Sequence, residues 1–241
     1  MHRFHAPGLP GAGETFELPG EEARHLSQVL RLGSGETVRV FDGQGREHLA
    51  EVLAVRKARA TLLVGAPVVP ATEARVRVTL APALLKGDRF DDVVRDAVML
   101  GVWQIQPLVT RRTEVPIDRA AAAHEGGRWR RVAVASAKQC GRAVVPVVLA
   151  PRSVQEAVEG LPRPMLLLAE PSAGAPAGAD VPPAPAAASL LVGPEGGWSP
   201  EEIAVASSAG ASCLRLGART LRADSAPLVA LAVLLHEWDE L

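Results

Sequence analysis

The period of apolar and polar positions changes once along the chain, near residues 70–75. Before that point apolar residues come in short runs broken by turns. Pro19-Gly20 precedes Glu21–Leu30, where Ala23, Leu26, Val29 and Leu30 recur at helical spacing. Val38-Arg-Val-Phe41 then meets Asp42-Gly-Gln-Gly45, a turn signal, and Leu49–Val55 and Ala60–Val69 read as further strands. Short strands closed by turns predict a small β-barrel. After that point Val76, Val78 and Leu80 alternate with Arg75, Arg77 and Thr79, the period of a strand. Phe90, Val93, Val94, Ala97 and Val98 follow at i, i+3, i+4, i+7 and i+8, one face of a helix. Strand-like Ile105–Val109, a helix from about Asp118 to Gln139, and strand-like Pro146–Leu149 and Met165–Leu168 continue the alternation. Ser189–Val192, a helix over Pro200–Ser208, Cys213–Leu216 and a final helix complete it. Strands alternating with helices predict an α/β domain built on a mostly parallel sheet covered on both faces. The expected division is 1–72 and 73–241. Pro171–Ala188, rich in Pro and Ala, is read as a long loop inside the second domain, because the strands beside it are too few to stand apart. No internal repeat is visible.

Composition narrows this picture only a little. Hydrophobic residues are 48% and charged residues 22% of the 241, ordinary for a globular chain. No signal peptide is expected from Met1-His-Arg-Phe-His-Ala-Pro7, and Leu228–Leu235 is too short to span a bilayer, so no membrane partner is expected. Two cysteines, Cys140 and Cys213, make neither a disulfide framework nor a metal quartet, and His25, His48 and His236 have no ligand spacing, so no metal is expected. A cytoplasmic setting is the default. The net charge of -1 argues against a nucleic-acid binder, but its distribution does not. Thr110–Arg142 carries eight cations (Arg111, Arg112, Arg119, Arg128, Arg130, Arg131, Lys138, Arg142) against three acids. Such a stretch is either a solvated helix face or a phosphate-binding surface.

Two segments carry candidate chemistry. In Leu190-Leu-Val-Gly-Pro-Glu-Gly-Gly-Trp-Ser-Pro-Glu-Glu202 a buried strand runs into a glycine loop and then a helix. Ser199 is the expected N-cap, Pro200 the first helical residue and Glu202 the capping-box partner. Open α/β sheets bind ligands where a strand ends and a helix begins. The glycines would expose backbone polar groups to such a ligand. The chain has no phosphate-loop or dinucleotide signature, and a tight turn would use the same residues. The second segment, Leu214-Arg-Leu-Gly-Ala-Arg-Thr-Leu-Arg-Ala-Asp-Ser-Ala-Pro227, again sets a strand end and a glycine ahead of a helix. The helix after it, Leu228–Leu235, is apolar nearly all round, which predicts deep burial or a homodimer contact.

Gly193-Pro-Glu-Gly-Gly197 together with Leu216-Gly-x-Arg-x-Leu-Arg222 resembles the RsmE family, the small-subunit rRNA uracil-N3 methyltransferases of the SPOUT superfamily. His25-Leu-Ser-Gln-Val-Leu-Arg-Leu32, Phe41-Asp-Gly43, Lys86-Gly87, Leu100-Gly-Val102, and Gln139-Cys-Gly-Arg142 with Pro146 resemble its other motifs, in order. The resemblance implies an N-terminal PUA-like β-barrel that binds RNA and a C-terminal domain with a trefoil knot and a dimer interface. It also implies S-adenosylmethionine as cofactor, held by Leu168-Ala169-Glu170, Gly193-Pro194-Glu195-Gly196, Leu216-Gly217 and Leu221-Arg222. Three departures stand out: Asp224-Ser225-Ala226 for Glu-Thr-Ala, Lys138 for the Glu before Gln-Cys-Gly-Arg, and Met99-Leu100-Gly101 for Glu-Leu-Gly.

The implied substrate is small-subunit (16S) rRNA, free or in the assembled subunit. Methylation at uracil N3 requires loss of a proton from between two carbonyls. A carboxylate could accept it, or an arginine could stabilise charge on the oxygens. Glu195, Asp224 and Arg222 are the candidates by position, each with a plainer alternative: completing a turn, capping the last helix, or binding phosphate. Arg3, Arg24 and Arg31 in the first domain and Arg111, Arg112 and Arg142 in the second are expected to meet RNA, with Arg111 and Arg112 acting apart from the cofactor loops. Other readings are methylation of another RNA such as tRNA, a non-catalytic RNA-binding protein of the same fold, and a nucleotide-dependent enzyme on small molecules.

Overall fold

A computed structural model describes residues 1–57, 59–168 and 181–241. The chain forms two compact units, Met1–Glu73 with Val134–Val145, and Ala74–Ala133 with Pro146–Leu241.

The first unit holds β1 (Arg3–His5), β2 (Thr15–Glu17), α1 (Gly20–Arg24), β3 (Thr37–Phe41), β4 (Glu47–Arg56) and β5 (Arg59–Pro67). They form one mixed sheet in the order β1-β3-β4-β5-β2, with β1 parallel to β3 and the other pairs antiparallel. Alternation does what it should: Ala60, Leu62 and Val64 of β5 and Ala50 and Val52 of β4 face a core with Phe4, Leu26, Val38 and Val40. Asp42 sets the β3–β4 turn. Its carboxylate accepts the Gln44 and Arg46 backbone N–H groups at 2.7 and 3.0 Å and pairs with the Arg46 side chain. After α1 the chain continues as a π-helical turn, His25–Val29, with Leu30 N–H donating to the His25 carbonyl.

Ion pairs fasten Val134–Val145 within this unit. Arg3 donates to both carboxylate oxygens of Glu47 and to the carbonyls of Ala137, Lys138, Gly141 and Arg142. That fork satisfies helix-end carbonyls which would otherwise lack partners. Lys138 pairs with Glu22 and Arg142 with Glu73.

The second unit contains β6 (Arg77–Pro82), α2 (Arg89–Met99), β7 (Gln104–Ile105), β8 (Leu108–Val109), α3 (Ile117–Glu125), α4 (Arg128–Cys140, whose residues divide between the units) and β9 (Val147–Val148). β10 (Arg152–Ser153), α5 (Val154–Ala157), β11 (Met165–Leu168), β12 (Ala187–Val192), α6 (Pro200–Ser208), β13 (Ala211–Leu214) and α7 (Ala226–Glu237) follow. Six parallel strands run in the order β13-β11-β12-β6-β7-β9. Phe90, Val93, Val94, Ala97 and Val98, the expected apolar face of α2, are all buried, and α7 packs against α2, β6 and β12. Val154 and Ala157 of α5 and Ala206 of α6 belong to a cluster with Leu167, Leu191 and Trp198.

Two elements differ from expectation. The helix expected over Asp118–Gln139 is two, α3 and α4, because Gly126-Gly127 breaks it and Gly127 takes φ +66°. Trp129 then stacks on Phe90 at 4.9 Å. The strand expected over Ile105–Val109 is likewise divided at Gln106-Pro107, and β8 pairs with β10 outside the main sheet. Residues 171–180 of the Pro/Ala-rich stretch lie outside the described residues.

Candidate functional site

Register brings four strand ends level. Leu168 lies opposite Val192 and Leu214, and Val192 opposite Pro82, so β13, β11, β12 and β6 finish in one row. A cavity of about 430 Å³ lies against residues that follow these ends. Leu168 and Val192 come from the strands. Gly193, Pro194, Glu195, Gly197 and Trp198 come from the loop after β12, Leu216–Asp224 supplies a second wall, and Arg89 and Ala226 come from helix starts.

The first wall is tightly made. Gly197 N–H donates to the Pro194 carbonyl at 2.9 Å, closing a turn. Ser199 and Glu202 form the reciprocal capping box, and Pro200 begins α6. Trp198 is buried, and its indole N–H donates to the Leu168 carbonyl at 3.0 Å. A Cβ on Gly193 would stand 3.1–3.3 Å from three atoms of that indole. Any larger residue would have to push the buried ring back by a few tenths of an ångström. The Arg112 guanidinium donates to the Gly196 carbonyl at 2.7 Å, and the Arg111 backbone N–H donates to Glu202.

The second wall is looser. Gly217 has φ +97°, and a Cβ there would meet nothing within 4 Å. Arg222 donates to Asp224 from Nε at 3.2 Å and from its terminal nitrogen at 2.8 Å. These hydrogen bonds, that of Ser225, and the charges of Arg222 and Arg89 hold the Asp224 carboxyl below its ordinary value, against a partial desolvation. Across the cavity Arg89 pairs with Glu195 at 3.2 Å.

Residues 72–235 match a family model described as an RNA methyltransferase domain, and residues 18–64 one described as an RNA methyltransferase PUA domain. The chain is 35% identical to the ribosomal RNA small subunit methyltransferase E of Synechocystis over 223 residues, covering 90% of this chain and 72% of that protein. It is 31% identical to the protein of that name from Mycobacterium tuberculosis over 251 residues, covering 98% and 93%. A crystal structure of the Neisseria gonorrhoeae ribosomal RNA small subunit methyltransferase E, bound to S-adenosyl methionine, is similar in fold. Its TM-score is 0.89 at 34% identity, covering 99% of this chain and 98% of that one. The chain belongs to the ribosomal RNA small subunit methyltransferase E family.

In this family member the cavity gathers Leu168, Gly193, Pro194, Glu195, Leu216, Gly217, Leu221, Arg222 and Asp224 from the expected site residues. Gly196 lies on the same loop, held by Arg112. Ala169 and Glu170 fall outside the described residues. Asp224 does not cap the last helix: Ser225 occupies the N-cap position without a side-chain cap bond, and the carboxylate is turned to Arg222. Nor is the Arg111–Arg112 pair separate from the glycine loop, since both residues bond to it or to its capping box.

The expected RNA-facing arginines divide. Arg3 and Arg142 are engaged inside the first unit with Glu47 and Glu73, and Arg142 is 4% exposed. Such groups present nothing to a phosphate. Arg24, Arg31, Arg111 and Arg112 are exposed. Among the lining residues given no role in advance, Trp198 and Arg219 stood inside the quoted segments, whereas Arg89 belonged to no motif. Arg89 follows Lys86-Gly87 by two positions, but its approach to Glu195 depends on β6 neighbouring β12, which no local pattern states.

Proposed function

We propose that the chain transfers the methyl group of S-adenosylmethionine to N3 of a uridine in small-subunit (16S) rRNA. The observation that carries this reading is the cavity at the level ends of adjacent parallel strands, walled by the two glycine-bearing segments. It accords with the Neisseria relative, whose structure holds S-adenosyl methionine. The residues fit such a ligand. Leu168, Val192, Leu216 and Leu221 offer an apolar slot, and Gly193 and Gly217 leave backbone polar groups uncovered. The cofactor supplies an activated methyl group.

The chain's own part is positioning and electrostatics. Loss of the N3 proton leaves an electron pair shared with the flanking carbonyl oxygens, and that pair makes the N3–carbon bond as the sulfur–carbon bond breaks and its pair returns to sulfur. Arg89 and Arg222 both line the cavity and can stabilise that charge. Asp224, held low by Arg222, is a poor proton acceptor and serves to orient Arg222. Glu195 is exposed and pairs with Arg89, orienting that guanidinium as Asp224 orients Arg222, and the N3 proton passes to solvent water.

The same reading includes a homodimer, the trefoil knot and a cytoplasmic setting. Leu231, Leu234 and Leu235 of α7 are covered within the chain, whereas Val229 is 41% exposed and Leu228 and Val233 are half-buried, leaving an apolar strip for a second copy. Among the described residues no helix is long and apolar enough to cross a membrane. The test incubates the protein and S-adenosylmethionine with free 16S rRNA, assembled small subunits and tRNA, then maps methylated nucleosides by nuclease digestion and mass spectrometry. One N3-methylated uridine in 16S rRNA is expected; methyl transfer to tRNA alone, or to none, would overturn the reading.

A further inference from the structure

The cations of the first unit fall into two groups. Arg3 and Arg39 pair with Glu47, Arg46 with Asp42, Lys138 with Glu22 and Arg142 with Glu73. Arg24, Arg31, Arg56, Lys57 and Arg59 have no acidic partner among the described residues. Arg24 donates only to the Gly20 carbonyl of its own helix. The exposed acids Glu21 and Glu51 of the same unit pair with none of them.

These five come from two places that the fold ties together. Arg24 and Arg31 flank the π-helical turn His25–Val29, and Arg56, Lys57 and Arg59 form the end of the β4–β5 hairpin. The Ser27 hydroxyl joins the two, donating to the Lys57 carbonyl at 3.1 Å. Arg31 and Lys57 both take left-handed backbone, φ +56° and +55°. Glycine would occupy such positions without cost, yet long cations stand there. The π-helical turn also leaves Gln28 exposed and Val29 68% exposed, and helical irregularities of this kind are frequent at functional sites.

We propose that this surface, the end of the β4–β5 hairpin with the π-helical turn, is where the first unit grips the phosphate backbone of its RNA. The inference rests on the function proposed above. Unpaired, exposed cations can neutralise phosphates and release the RNA's condensed counterions without first breaking an ion pair, whereas Arg3 and Arg142 cannot. Gln28, on the same turn, adds an amide able to reach a base edge or ribose hydroxyl.

The experiment measures binding of the full-length protein to free 16S rRNA and to assembled small subunits across a salt series, with methylation of both in parallel. The triple variant Arg56→Gln, Lys57→Gln, Arg59→Gln should reduce the slope of log affinity against log salt by about 2–3, at roughly 0.7–0.9 for each phosphate no longer neutralised. Its affinity for S-adenosylmethionine and its melting temperature should stay unchanged. Arg95→Gln, which removes an exposed cation paired with Asp92 and Asp96, should keep the wild-type slope. A triple variant with the wild-type slope, beside a wild type that methylates, overturns the hairpin assignment alone. A wild type that neither binds nor methylates free rRNA or assembled subunits overturns the underlying function as well.

Discussion

The two walls of the cavity have similar sequence signatures and unlike construction. Both follow a parallel strand, contain glycine and run into a helix that bears proline in its first turn. Gly193–Gly197 is held from three sides by the Trp198 ring, the capping box and Arg112. Arg215–Ala223 has as its side-chain tie, among the described residues, the Arg222–Asp224 pair, and Arg219 and Thr220 are exposed. A glycine loop is thus rigid or loose according to what is packed on it, and one wall of this site is formed before any ligand arrives. Cofactor affinity should depend most on residues that shape the finished wall, while the other wall is ordered by binding.

The largest effect is expected at Gly193. Gly193→Val puts branched carbons where the buried indole already stands, and the ring is pinned by its bond to the Leu168 carbonyl. Overpacking of this kind costs about 1–3 kcal/mol, and S-adenosylmethionine affinity by calorimetry should fall roughly 100-fold or more, about 2.7 kcal/mol. Gly196→Val should cost a similar amount, because the nearest atom there is Arg112 Cβ at 3.1 Å, which moves only with its backbone. A loss confined to one of the two positions would show that only one of these glycines shapes the wall.

Next comes Trp198→Phe, which keeps most of the apolar volume and removes the donor to Leu168. Leaving that carbonyl unpaired costs about 1–2 kcal/mol, seen as a lower denaturation midpoint, with cofactor affinity down about tenfold as the first wall shifts against the end of β11. A smaller change, about threefold in cofactor affinity, should follow Arg112→Ala, which frees the Gly196 carbonyl. Calorimetry without RNA isolates that effect; an unchanged value would return Arg112 to a purely RNA-facing role.

Much of this contrast was legible in the residues, and the rest was not for definite reasons. Ser199, Pro200 and Glu202 announce a helix start because capping chemistry is local, and α6 begins there. The period of α2 and the alternation in β5 were equally local. The break at Gly126-Gly127 was masked because apolar spacing continues on either side of it. Non-local facts were hidden altogether. Trp198 reaching Leu168, Arg89 reaching Glu195 and Arg3 reaching the end of α4 each depend on strand order or chain return. A charge count could not separate Arg142, buried on Glu73, from Arg111 at the surface.

The smallest predicted effect concerns the loose wall and is read from pH. Asp224 sits below its ordinary carboxyl value of 3.8, chiefly through the hydrogen bonds from Arg222. A carboxyl depressed in the folded state stabilises that state at pH above its unfolded pKa, and the contribution disappears as pH falls through the folded value. Arg222→Gln removes the cause. The melting temperature of the variant should lie slightly below that of wild type by a constant margin from about pH 7 to about pH 5, since neither carboxyl titrates there. The margin should close as pH drops below about 4, where protonation cancels the advantage in wild type. Because Arg222 is exposed, the shift is small, and it shrinks with added salt. A margin that closes instead between pH 5 and 7 would mean that Asp224 is not held low. The second wall would then lack its internal tie in solution, and the contrast between the two walls would be greater still.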